Sequence, residues 1–231
     1  MSGALIIGAG PGIGASVARR ASREGLTVGM IARSEATIDT VLRMLGDVDA
    51  LGVPADVTDE AGLRAAIDEV VDRFGPPELV VYNAAVIRRD RIGELTAQQQ
   101  LDTWAVNVVG AITTVAHLAE RMIHAGGGTV VLTGGMPEPE PDLTSLSLGK
   151  AGVRALTKLL DATYGPDGLR VATVTVTGAV APGTEFDPDD IAACYWRLHT
   201  AAPDEFEHEV LYRGGRPKGR LHAVPPTPPS S

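Results

Sequence analysis

The sequence contains a single cysteine, Cys194. No internal disulfide and no cysteine-clustered zinc site can form, so a buried thiol on a helix in a reducing compartment is expected. Long apolar runs are absent too: none reaches the roughly 18 residues that would read as a membrane span. No basic leader precedes an apolar stretch at the N-terminus, and the chain is expected to stay in the cytoplasm. Positive charge is in deficit, with 20 Lys and Arg against 29 Asp and Glu, a net charge of -9. That balance argues against nucleic acid and against an anionic membrane as partner, since either needs a basic face. Lysine is especially scarce, only three residues, beside seventeen arginines. His117 and His124 fall on one predicted helix without a third ligand, so no metal site is expected.

What is present is hydrophobic content of 44% spread over 231 residues, enough to cover both faces of one sheet in one domain. β-like segments recur at 4–9, 27–32, about 50–55, 78–84, 128–134, 170–178 and near 209–213, with helical segments between them. That alternation predicts a doubly wound α/β fold with a seven-stranded parallel sheet flanked by helices. Leu63, Ala66, Ile67, Val70, Val71 and Phe74 form the clearest helical stripe. Ser34, the pair Thr96 and Gln99, and Asp187 followed by Pro188 read as helix starts. Residues 107–124 and 148–163 read as two long helices more apolar than one buried face needs, which predicts a subunit contact and a homodimer or homotetramer. The domain is expected to span 1–213. The Pro-rich remainder, 214–231, cannot pack a core and is expected to be a flexible arm.

The densest signal is Leu5-Ile6-Ile7-Gly8-Ala9-Gly10-Pro11-Gly12-Ile13-Gly14, a strand that glycines break directly into a helix. Gly8 can make the turn out of the strand, Gly12 lets backbone approach a pyrophosphate, and Gly14 lets helix pack close on strand. The helix N-terminus then aims its N–H groups and positive dipole end at the phosphates.

From Leu5 to about Arg213 the chain resembles the short-chain dehydrogenases/reductases. Gly8-x-x-x-Gly12-x-Gly14 matches that family's glycine pattern, with Gly10, Pro11 and Ile13 inside it. Asp56-Val57 matches its adenine contact, and Asn83-Ala84-Ala85 its Asn-Ala-Gly, with alanine at 85. Asn107 matches the asparagine of the long helix, Lys150 the active-site lysine, and Thr177-Gly178 the Pro-Gly after the sixth strand. The second strand ends Ile31-Ala32-Arg33-Ser34. An acid at position 32 would favour NAD(H) by bonding the ribose 2′-OH; with alanine there, Arg33 and Ser34 can hold a 2′-phosphate, so NADP(H) is expected and NAD(H) is disfavoured.

The resemblance also implies a serine and a Tyr-x-x-x-Lys pattern, in which the tyrosine is the general acid, the lysine holds the ribose and lowers the tyrosine pKa, and the serine orients the substrate oxygen. Here the tyrosine place holds Leu146 and the serine place Thr133, and the place seven residues before the lysine is Leu143. Asn107, Thr133 and Lys150 are therefore carried over as candidate catalytic residues, and nothing at 146. Glu138, Glu140 and Asp142 in the proline-punctuated loop 136–142 are alternative acids, and Ser145 and Ser147 further donors. The helix start at Asp187 comes only nine positions after Gly178, where the family commonly has a substrate-covering insert, so an open site is expected. Two functions follow: an NADP(H)-dependent oxidoreductase acting on a carbonyl, alcohol or imine of a small molecule, or a dinucleotide-binding protein that senses, scaffolds or catalyses a non-redox step.

Overall fold

The computed structural model describes residues 3–215. Seven parallel strands, β1 (Gly3–Ile7), β2 (Thr27–Ala32), β3 (Ala50–Pro54), β4 (Leu79–Tyr82), β5 (Gly128–Thr133), β6 (Leu169–Val176) and β7 (Glu209–Tyr212), lie in the order β3-β2-β1-β4-β5-β6-β7. Strand order reverses between β1 and β4, and ligands of open α/β sheets bind at the carboxyl ends of the strands beside such a reversal. One face buries Val17 and Ala18 of α1 (Ile13–Arg23), Val41 of α2 (Glu35–Leu45) and Ile191, Tyr195 and Leu198 of α7 (Pro188–Thr200) against Ile6, Val81 and Val131. The other buries Leu63 and Ile67 of α3 (Glu60–Phe74), Val115 and Leu118 of α5 (Gly110–His124) and Val153 and Leu156 of α6 (Thr144–Tyr164) against Leu5, Val80 and Val130. The inner strands β1, β2, β4, β5 and β6 are buried on both sides, whereas the edge strands β3 and β7 are partly exposed.

Local chemistry explains where the helices start. The Ser34 hydroxyl accepts the Thr37 N–H, and the Asp187 carboxylate accepts the Asp189 N–H ahead of Pro188. Thr96 and Gln99 exchange both bonds of a capping box at the head of α4 (Ala97–Trp104).

Two helix boundaries differ from the sequence expectation. The helix expected over 107–124 runs on from α4 through a π-helical turn, Ala105–Val109, into α5. Inside that turn the Tyr82 hydroxyl donates to the Val106 carbonyl at 2.6 Å, taking an acceptor from the helical ladder. The helix expected from 148 starts at Thr144 because a side chain far away in sequence caps it: the Asp90 carboxylate accepts the Ser145 N–H and hydroxyl. Of the C-terminal arm, Gly215 is seated, its N–H donating to Glu185 O at 2.7 Å, and residues 216–231 lie outside the described residues.

Candidate active site

The turn after β1 is built around Gly8, whose φ of +82° suits glycine. A Cβ there would also lie 2.4 Å from the Ala84 nitrogen, so the loops after β1 and β4 touch backbone to backbone. Asn83 fastens them: its N–H donates to Ile7 O at 2.8 Å and its amide Nδ2 to Gly8 O at 2.9 Å. A Cβ on Gly14 would lie 2.7 Å from Gly8 O, so helix packs tightly on loop. At Gly10 and Gly12 a Cβ would meet nothing within 4 Å. These two glycines, with exposed Pro11 between them, face open space, and no side chain caps the start of α1. The result is a cradle of bare backbone at a helix N-terminus, the form that accepts a phosphate.

Arg33 is exposed at the end of β2, and Ser34 beside it is engaged as the cap of α2. Across the groove, Asp56 follows β3 with its carboxylate on the Thr58 N–H and hydroxyl. Those two bonds, aided by the positive charge of Arg33, hold its pKa below the usual range. Val57 turns inward and packs in the core beneath.

A cavity of about 660 Å³ opens at the other end of the cradle. It joins Gly12 and Ile13 of the first turn to Asn83, Lys150, Thr177 and Gly178, so sequence-distant candidates share one space. Ala85 lines it as well, while Ala84 lies against the Gly8 turn. Lys150 is buried, and its ammonium donates to Thr133 O at 2.6 Å. Burial alone pulls its pKa down to about 8. Leu146, one turn earlier on α6, is buried and forms part of the same wall.

The Thr133 hydroxyl donates to Asn83 Oδ1 at 3.0 Å and lies 2.8 Å from the hydroxyl of Tyr195. With its own O–H donating to Asn83 Oδ1, Thr133 accepts from Tyr195, and the chain Tyr195–Thr133–Asn83–Gly8 ties α7 to the glycine turn. Asn107 lies in the π-helical turn; its Oδ1 accepts the Val86 N–H at 2.8 Å, and its buried Nδ2 has no partner among the described residues. It therefore positions the loop after β4 from behind. Thr177 donates its N–H to Tyr212 O. Gly178 leaves the space the Phe186 ring occupies, where a Cβ would come within 2.3 Å of that ring.

Of the loop acids, Glu140 alone lines the cavity. Asp142 pairs with Arg91, which lowers its pKa, and Glu138 is exposed. Ser145 is committed to Asp90, and Ser147 to the Glu140 backbone. The short segment after Gly178 folds on itself, with the Asp187 carboxylate accepting the Gly183 N–H, and leaves Val180 and Ile87 exposed at the mouth. His117 bonds Asp68 at 2.8 Å.

Three contributors escaped the sequence reading. Asp90 caps α6, Tyr195 anchors Thr133, and Arg154 clamps the loop by donating to Gly135 O and Met136 O at 2.9 and 3.0 Å. Each acts on a partner on another element. Met136 stands at φ +49°, and a non-glycine residue there needs outside support, which Arg154 supplies from another element, so the sequence carries no local signal of it.

A family profile described as short chain dehydrogenase matches residues 2–189. A D-threitol dehydrogenase of Mycolicibacterium smegmatis is 30% identical over 178 residues, covering 75% of this chain and 68% of the relative. A putative ketoacyl reductase of Streptomyces coelicolor is 34% identical over 188 residues, covering 78% and 69%. Among solved structures, a metagenomic short-chain oxidoreductase in complex with NADP shares the fold with a TM-score of 0.83 at 24% identity, over 91% of this chain and 95% of that one.

Proposed function

The chain belongs to the short-chain dehydrogenase/reductase family, and from that premise we propose that it is an NADP(H)-dependent oxidoreductase whose site keeps the dinucleotide-holding residues and lacks the proton-donating phenol. The carrying observation is the single cavity that runs from the glycine cradle to Lys150 with Leu146 in its wall.

The residues present fit a nicotinamide dinucleotide. The open backbone at Gly10 and Gly12 and the uncapped head of α1 suit a pyrophosphate, exposed Arg33 suits a 2′-phosphate, and the Lys150 ammonium suits ribose hydroxyls. When bound, such a group supplies hydride. The protein's part is to orient and to manage the proton. Asn83 and Thr133 hold the inner wall rigid, and Lys150, with its pKa of about 8, keeps a proton on Nζ through most of the neutral range. None of the four tyrosines, Tyr82, Tyr164, Tyr195 and Tyr212, lines the cavity, so no phenol is placed to protonate a substrate oxygen there. Burial holds the Tyr195 phenol well above its ordinary pKa, which unsuits it to losing a proton through Thr133. The substrate is a small molecule bearing a carbonyl, alcohol or imine. Leu146 also supports a second reading, a protein that binds the dinucleotide without turning it over.

A titration with NADPH and NADH, followed by NADPH oxidation over aldehydes, ketones, quinones and imines, tests the proposal. Cofactor choice is assigned to Arg33: NADPH binds more tightly than NADH, and Arg33→Asp reverses the order by repelling a 2′-phosphate and bonding a free 2′-OH. Equal affinity of the unmodified protein for both would remove the role given to Arg33.

Association is proposed through the long helices. Trp104, Val109, Ile112, Leu148 and Leu159 of α4, the π-helical turn, α5 and α6 are large, apolar and at least 42% exposed, an excess a partner copy would cover. Light scattering at micromolar concentration is expected to give a dimer or tetramer mass, and a monomer mass would refute the contact.

A further inference from the structure

Two ionisable side chains line the cavity among the described residues: Glu140, exposed at the rim, and Lys150, only 7% exposed on the inner wall. Among the described residues no carboxylate or phenol reaches the Lys150 amine, whose hydrogen bond goes to a backbone carbonyl. Leu143, Leu146, Met136 and Val176 give the wall apolar side chains beside the uncharged polar Asn83, Thr133 and Thr177. An amine so placed has one backbone carbonyl and no countercharge to stabilise its charge, and it faces a space large enough for a small organic molecule.

We propose that in the dinucleotide-free protein Lys150 is a nucleophile, condensing through Nζ with a small apolar aldehyde to form an imine. The inference concerns the same cavity as the proposed reductase, and the dinucleotide and the aldehyde compete for Lys150. In the first step the Nζ lone pair bonds to the carbonyl carbon and the carbonyl π electrons move to oxygen. The proton that Nζ gives up balances the one the oxygen takes, leaving a neutral carbinolamine. The carbon–oxygen bond then breaks and the hydroxyl leaves as water, taking up one proton as Nζ gives up its remaining N–H proton and forms the carbon–nitrogen double bond. One amine and one aldehyde give one imine and one water, with no oxidant or reductant consumed. Thr133 O, already the acceptor for Nζ, holds the amine in place as it reacts. Desolvation makes the amine available near neutrality, whereas an ordinary exposed lysine is almost wholly protonated there.

The experiment uses the full chain with propanal as probe and cyanoborohydride to trap the imine, read by peptide mass mapping. Lys158, exposed on the same helix, is the internal reference. Lys150 is expected to be alkylated at least about tenfold faster than Lys158 at pH 8, with its rate rising about tenfold from pH 7 to pH 9 as the amine deprotonates. Saturating NADPH is expected to suppress the labelling. Labelling of Lys158 as fast as Lys150, or a Lys150 rate flat with pH, would overturn the inference. The two proposals fail separately. A protein that binds NADPH but leaves Lys150 unlabelled when free refutes the nucleophile and keeps the reductase; one labelled at Lys150 with no NADPH affinity does the reverse.

Discussion

Leu146→Tyr is expected to raise NADPH-dependent ketone reduction by about 10² to 10⁴, the contribution of a positioned general acid. Position 146 lies one helical turn before Lys150, so the new phenol and the ammonium share one face of α6. An adjacent cation favours phenolate and lowers the tyrosine pKa towards neutrality. The cavity beside Leu146, about 660 Å³, leaves room for a ring, so the cost of overpacking falls on empty space more than on core. Leu146→Phe is the control: it has nearly the same shape without the hydroxyl, and it is expected to gain nothing. Melting temperature and NADPH affinity are read first, because the phenol also places a polar atom on an apolar wall. A folded, NADPH-binding Leu146→Tyr protein with no gain on any carbonyl would transfer the argument to the binding-only reading. The reciprocal effect is a slower aldehyde trap at Lys150, since a neighbouring phenolate stabilises the ammonium.

Lys150→Met is expected to make the protein more stable and less able to bind dinucleotide. The folded pKa of Lys150 is depressed to about 8 by burial, while an unfolded lysine titrates near 10.4. Between those values the unfolded state binds more protons, so stability rises with pH. Below about 8 the folded chain carries the full cost of the buried ammonium, about 3 kcal/mol from the shift. Methionine has similar length and no charge. After subtracting about 1 kcal/mol for the lost hydrogen bond to Thr133 O, a gain of about 2 kcal/mol remains at pH 7. For a chain of this size that is a melting temperature higher by roughly 4 to 8 °C. The advantage is expected to shrink as pH rises towards 10. Melting curves at pH 7 and pH 10 check both sign and window. A Lys150→Met protein less stable at both would make the lysine a structural tie and not a strained functional group.

The legible parts of this fold are those written locally. Ser34, Thr96 with Gln99, and Asp187 with Pro188 each satisfy N–H groups within three residues, and all three starts appear where the sequence puts them. Gly8 and Gly14 are likewise legible, because a turn from strand to helix leaves no space for a Cβ. What stayed hidden depends on partners far along the chain. Asp90 caps α6 from 55 residues away, so the α6 start was placed late. Tyr82 reaches Val106 inside a π-helical turn, which no periodicity records. The site divides in the same way: the glycine cradle and Lys150 could be found by spacing, whereas Tyr195 behind Thr133 and Arg154 under Met136 exist only in three dimensions. Thr133 shows the limit of motif transfer, since its position in the chain is silent about where its hydroxyl donates, and it donates to Asn83 Oδ1.

In the proposed function the cradle and Lys150 hold NADP(H) while no phenol stands in the cavity to protonate a substrate oxygen. One measurement addresses both halves: titrate the unmodified protein with NADPH to saturation, then add a ketone panel to the same sample and follow cofactor absorbance. Saturable binding, tighter than for NADH, with negligible ketone-dependent oxidation is the predicted result; failure to bind NADPH, or ketone reduction as fast as Leu146→Tyr achieves, would contradict it.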